Sequence, residues 1–105
     1  MANHCENNIE FHELSLEQII IVRAALSNED AIKTDHGGWC VVDYLSNDDS
    51  IVQITSAWSP PIEWFVDLCT KNNIQGSMWY VEQGCDLGGH IDCFSNGETE
   101  IIYYG

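Results

Sequence analysis

The sequence predicts an α+β fold: an antiparallel sheet with two helices on one face and an extra C-terminal β-hairpin. Period-two alternation recurs along the chain, two stretches instead repeat apolar residues at three- and four-residue spacing, and Asn96-Gly97 separates the last two alternating runs. With 105 residues, 45% of them hydrophobic, the chain has material for one core and too little length for two. A single acidic domain spanning 1–105 is expected.

Taken in order, "NNIEFHE" alternates through Ile9 and Phe11 with Glu10 and His12 between them, as a half-buried strand requires. Ser15 and Gln18 are placed as a capping box, and Leu16, Ile19, Ile20, Arg23 and Leu26 fall along one flank of a helix from about Leu16 to Leu26. Ser27 to Gly38 is polar, has no clear period and ends in Gly-Gly, so it reads as a loop. "WCVVDYL" and "IVQITSA" are rich in β-branched and aromatic residues and flank a Ser-Asn-Asp-Asp-Ser turn, which makes them a hairpin.

In "AWSPPIEWFVDLC", Ser59 is a competent N-cap, Pro60 suits the first helical position and Pro61 the first turn. Ile62, Phe65, Val66 and Cys69 then lay one apolar stripe on the sheet. Trp58 and Trp64 read as core anchors and edge cover, given the area an aromatic buries. "GSMWYVEQ" is a further strand, broken by Gly84 to Gly89. A two-residue Asn96-Gly97 loop pairs Ser95 with Glu98, Cys93 with Glu100 and Ile91 with Ile102. Strand, helix, strand, strand, helix, strand and hairpin is a split βαβ arrangement of the ferredoxin-like kind, with both helices on one face and the other open.

Charge narrows the function. Against 17 Asp and Glu the chain sets only Arg23, Lys33 and Lys71, a formal net charge of −14. Such a surface repels nucleic acid and anionic lipid and speeds encounter with basic surfaces over a Debye length of roughly 8–10 Å. The apolar run Ile19 to Val22 is far short of the ~18 residues of a membrane span. No signal peptide is apparent, so a soluble, cytoplasmic protein is expected. Cys5, Cys40, Cys69, Cys85 and Cys93 are odd in number and irregularly spaced, which suits reduced, buried thiols without a disulfide.

Candidate chemistry is thin. Cys85, His90 and Cys93 form the best metal-like cluster, with His4-Cys5 or His36 and Cys40 as sources of a fourth ligand. Zinc sites show two tight ligand pairs, which this set lacks, so neither metal nor other cofactor is expected. The plainer reading is a turn histidine and two half-buried thiols. No cysteine is set up as a nucleophile: Cys40 lies in an apolar strand, Cys69 on the helix stripe and Cys85 beside Asp86.

Some residues resemble a known family. "AWSPPIEWFVDLC" after "IVQITS", followed by "WYVEQGC", resembles the YubB-type ferredoxin-like domain of plasmid and phage proteins. That family shows a strand, Trp-x-Pro-Pro, a helix, and a strand ending near Tyr-x-Glu-Pro-Gly; here Ser59 fills the x and Gln83 replaces the last Pro. The start "MANHCENNIEF" is similar to the family's Met-x-Asn-Trp-Cys-x-Asn, with His4 at the Trp. The resemblance implies the ferredoxin-like fold and a mobile-element origin. It carries over no catalytic residue, because the matching positions are caps, turns and core aromatics.

The leading expectation is therefore a phage or mobile-element inhibitor, of the anti-CRISPR or anti-restriction kind, that occupies the basic nucleic-acid-binding groove of a host defence complex. Glu98 and Glu100, on one strand face, lie about 6.6–6.8 Å apart, which matches two base-pair rises at ~3.4 Å each. Asp92, Asp86 and Glu82 extend that negative edge. Asp48, Asp49, Glu98 and Glu100 are the expected partner contacts, with Glu29 and Asp30 as a second patch. The alternative is a non-catalytic module that homodimerises through its open sheet face or C-terminal hairpin, anchored by Trp79, Phe94, Tyr103 and Tyr104.

Overall fold

The computed structural model describes residues 4–82, 87–94 and 96–104. In chain order these form β1 (His4–His12), α1 (Leu16–Ser27), a 3-10 turn (Glu29–Ala31), β2 (Cys40–Leu45), β3 (Ile51–Ala57), α2 (Ile62–Lys71), β4 (Gln75–Glu82), β5 (Leu87–Cys93) and β6 (Thr99–Tyr104). The strands make one sheet in the order β2-β3-β1-β4-β5-β6, with every neighbouring pair antiparallel. Strands β1 to β4 and the two helices are the ferredoxin-like unit, and β5–β6 widens its sheet beyond β4.

Alternation decides which face is buried. Cys5, Ile9 and Phe11 of β1, Val52 and Ile54 of β3, Met78 and Tyr80 of β4, and Ile91 and Cys93 of β5 turn to one side. There they form a single cluster with Val22 and Leu26 of α1 and Phe65 and Cys69 of α2. Fully burying an Ile or Phe side chain is worth roughly 1.5–3 kcal/mol, and a one-residue slip would turn a whole strand's apolar set outward, so this face pins each register.

Among the described residues two buried polar side chains, Asn7 and Ser56, lie within that face. Asn7 donates from Nδ2 to the Ile54 carbonyl at 3.0 Å and to Ser56 Oγ at 2.9 Å, and Ser56 Oγ in turn donates to the Ser59 carbonyl at 2.7 Å. These bonds tie β1 and β3 to the segment entering α2 and offset the cost of burying the amide.

The capping box of α1 is present: Gln18 N–H donates to Ser15 Oγ at 3.2 Å, and Ser15 N–H to Gln18 Oε1 at 2.9 Å. Gln18 Nε2 also donates to the carbonyls of Asn72 and Asn73, at 3.3 and 3.0 Å, just past the end of α2. The buried stripe differs from the expected one. Val22 and Leu26 face the sheet, whereas Leu16 is 81% and Ile20 67% exposed. The run Ile19 to Val22 is apolar all round, so spacing alone leaves the helix rotation open, and the pairing of Arg23 with Asp49 settles it.

The polar stretch after α1 is not a plain loop. It contains the 3-10 turn, buries Ile32 and Thr34, and closes through Thr34, whose N–H donates to the Gly38 carbonyl at 3.1 Å and whose Oγ1 accepts from Gly38 N–H at 2.8 Å.

Ser59 does not cap α2. The helix starts at Ile62 after Pro61, and Asp35 caps it from a distant loop, its Oδ1 accepting from Glu63 N–H at 3.0 Å. Trp58 is likewise no core anchor. It is the centre of a γ-turn closed from Ser59 N–H to the Ala57 carbonyl at 2.8 Å, which sets its φ at +69° and leaves it 57% exposed. Trp64 is half-buried against the core as expected.

The C-terminal hairpin forms, one residue away from the expected register. Cys93 pairs with Thr99, Asp92 with Glu100, Ile91 with Ile101 and His90 with Ile102. Phe94 N–H donates to the Glu98 carbonyl at 2.9 Å, Gly97 N–H to the Phe94 carbonyl at 3.0 Å, and Gly97 has φ +89°, so the loop holds one residue more than Asn-Gly alone. The shift places Ile101 beside core residue Ile91 and moves Glu100 to the open side, opposite Asp92.

Gly88 and Gly89 continue β5 instead of breaking the chain. Gly89 sits opposite Tyr80, and a Cβ there would lie 2.4 Å from the tyrosine ring. Gly89→Ala therefore displaces Tyr80 and lowers stability in urea unfolding by about 1–3 kcal/mol; an unchanged midpoint would show that the ring does not depend on the glycine.

Candidate functional site

Two helices cover one side of the sheet, and the other side meets water. Its middle rungs follow from the register. Gln53, Asn8, Trp79, His90 and Ile102 form one row, and Ile51, Glu10, Ser77, Asp92 and Glu100 the next; Thr55, Glu6 and Val81 lie on the far side of the first. Val41, Asp43 and Tyr44 of β2 complete the face, with Asp43 at a β-bulge and accepting from Thr55 Oγ1.

The charges on this face have one sign. Glu6, Glu10, Asp43, Asp92 and Glu100 lie on it, and no lysine or arginine does. Arg23 is on α1, Lys71 ends α2 and pairs with Asp67 at 3.8 Å, and Lys33 is in the loop before β2. Interleaved with the carboxylates are exposed apolar groups, Val41, Ile51, Trp79, Val81 and Ile102. Trp79 is stacked on His90 with ring centroids 5.0 Å apart and planes 10° from parallel. His90 Nε2 lies 2.9 Å from Asp92 Oδ1, which also accepts from Ser77 Oγ at 2.6 Å. Ser77 thus donates to the carboxylate and not to the imidazole, so this trio does not have the order of a nucleophilic triad.

The six carboxylates expected as partner contacts do not come together. Asp48 and Asp49 lie in the β2–β3 turn, whereas Glu98 precedes β6 and Glu100 is within it; the two turns share an end of the sheet and stand roughly 19 Å apart, four strand spacings. Asp49 is 3% exposed and is held by Arg23, with Nε 3.0 Å from both carboxylate oxygens and Nη2 2.9 Å from Oδ2. Its charge is answered inside the fold, so it is no partner contact. Glu29 accepts from Val42 N–H at 2.6 Å and seals the outer edge of β2, while Asp30 is exposed beside it. Of the six, Glu100 alone is on the open face.

Glu6, Glu10 and Asp43 were not singled out from the sequence. The alternation that buries Cys5 and Ile9 nonetheless turns Glu6 and Glu10 outward, so the signal for two of them was present.

Among the expected dimer anchors, Trp79 is on the open face and Phe94 is exposed where the β5–β6 turn begins. Tyr103 and Tyr104 pair through their backbones with Gly89 and Gly88, and their side chains are outside the described part of the structure. The metal-like cluster does not assemble: His90 is on the open face and Cys93 on the core face of the same strand, while Cys85 and Gln83 are outside the described residues.

Cys5, Cys40, Cys69 and Cys93 are buried free thiols. Burial pushes Cys5 up to about 12 and Cys40 up to about 11. Cys69 is also held well above the usual thiol range, by its hydrogen bond with Cys93 and then by burial. None of these three is a ready thiolate at neutral pH. Among the described residues no helix is long and apolar enough to cross a membrane.

Comparison with family models gives a match to a ferredoxin-like domain in Api92-like protein over residues 31–105, from the 3-10 turn through β6. The chain belongs to this Api92-like ferredoxin-like family. Searches of curated proteins and of solved structures found no match. The family model spans β2, β3, α2 and β4 to β6, and so includes Asp43, Trp79, His90, Asp92 and Glu100 of the open face.

Two outcomes follow for this Api92-like domain. Iodoacetamide at pH 8 leaves Cys5 and Cys40 unmodified in the native chain and labels both in urea, as read by peptide mass spectrometry; rapid native labelling at either would contradict its burial. Asp48 is held down to about 2, first by the Ser50 hydroxyl, then by Ser46 Oγ and the Ser50 N–H. A depressed carboxyl stabilises the fold above its ordinary range and loses that contribution as pH falls through its folded value. The Ser50 amide resonance therefore titrates in acid with a midpoint near that low value, and this transition disappears in Asp48→Asn.

Proposed function

We propose that this protein is an acidic inhibitor from a phage or other mobile element, of the YubB type, acting in the cytoplasm of a bacterial host. It binds a nucleic-acid-handling defence complex, of the anti-CRISPR or anti-restriction kind, and blocks its basic groove. It acts as a binding protein, without catalysis. The observation that carries this reading is the sorting of charge: Glu6, Glu10, Asp43, Asp92 and Glu100 on an uncovered sheet face that holds no Lys or Arg. A one-sign face steers a basic partner into place and turns away nucleic acid and like-charged surfaces. Glu6 and Glu10, four residues apart on β1, stand roughly 13 Å apart along the strand, close to four phosphate steps of ~3.4 Å along a nucleic-acid strand, which suits occupation of a groove built for phosphates. Homodimerisation through this face would set the same carboxylates against each other without a counter-charge.

The test is displacement of labelled duplex DNA from purified RNA-guided and restriction complexes, followed by fluorescence anisotropy. At least one complex is expected to release its DNA, with potency falling at least about tenfold between low and physiological salt. Glu6→Gln, Glu10→Gln and Glu100→Gln combined weaken the effect, whereas Glu29→Gln with Asp30→Asn does not. Failure to displace DNA from any complex, or potency indifferent to salt, would rule the reading out.

A further inference from the structure

The middle of the open face has a shape as well as a charge. Asn8 lies between Gln53 of β3 and Trp79 of β4. On its β3 side the surface dips into a depression of about 190 Å³, whose lining includes Glu6, Asn8, Asp43, Gln53 and Thr55. On its β4 side stands Trp79, 40% exposed. Trp79 and His90 are paired across β4 and β5, and their near-parallel rings stack with centroids 5.0 Å apart. His90 is stacked on one face of the indole, and the strand on the other side of Trp79 is β1, where Glu6 and Glu10 flank Asn8. An aromatic face, two flanking carboxylates and an acid-lined depression thus adjoin across one strand.

We infer that the centre of this face receives arginine side chains of a protein partner, one guanidinium laid on Trp79 and another lowered into the depression beside Asp43. The inference rests on the reading that the open face meets a basic protein, and it names the groups met. A guanidinium is planar, weakly hydrated, stacks on indole and presents a fork of donors to carboxylates and amide oxygens. An ammonium is a compact, strongly hydrated point charge that gains less from a flat aromatic. A second copy of this chain laid open face to open face brings carboxylates and no lysine or arginine, and nucleic acid is repelled by the face.

The test titrates the full-length chain with two blocked peptides of equal length and charge, alternating arginine–serine and alternating lysine–serine, followed by calorimetry and by amide shifts. The arginine peptide is expected to bind at least about fivefold more tightly at matched ionic strength, moving the resonances of Asn8, Gln53, Trp79 and His90. Trp79→Leu and Asp43→Asn each bring it down to the level of the lysine peptide. Should Trp79→Leu unfold, the exposed Asp43→Asn carries the comparison. Equal affinity for both peptides, unmoved by either substitution, overturns arginine recognition and leaves the basic-partner reading standing. Binding of neither peptide at low salt, or self-association of the chain by light scattering, overturns both.

Discussion

Two helices can bury only one side of a six-stranded sheet, and that limit arranges the rest of the molecule. Once Ile9, Val52, Ile54, Met78 and Ile91 are committed to α1 and α2, the period of two sends Glu6, Glu10, Asp92 and their neighbours to the other side. The carboxylates of the open face are thus positioned by the residues between them. Polar exceptions on the buried side are few and tied down, as Asn7 is by Ile54 and Ser56.

The three basic residues lie elsewhere, and two of them are paired. Arg23 neutralises the buried Asp49 and in doing so orients α1, and Lys71 lies within reach of Asp67 on its own helix. A sheet face of one sign repels itself and needs a reason to be tolerated; here the strands hold it because the core behind pins their register. Apolar groups between the carboxylates, Trp79 above all, allow such a face to bury area as well as to attract.

Much of the fold was legible from local pattern. Alternation found the strands, the Ser15–Gln18 box marked the start of α1, and Phe65 and Cys69 announced the buried side of α2. What escaped the sequence depends on partners distant in the chain or on one residue of loop length. The rotation of α1 is set by Asp49, and the cap of α2 comes from Asp35 rather than Ser59. The register of β6 turns on a loop longer than Asn-Gly, and only with that register does Glu100 join Asp92. Net charge pointed to a cationic partner, yet it could not separate carboxylates that serve the fold off the open face, as Asp49 does with Arg23 and Glu29 with the Val42 N–H, from those that stand on it.

Gln18 serves two helices at once. Its oxygen and backbone complete the first turn of α1, while its amide nitrogen holds carbonyls just past the last turn of α2. Fraying at either terminus costs the other a hydrogen bond, so the pair loosens in concert and not one after the other. A side chain of middling exposure thereby couples two segments more than fifty residues apart into a single unit of local opening.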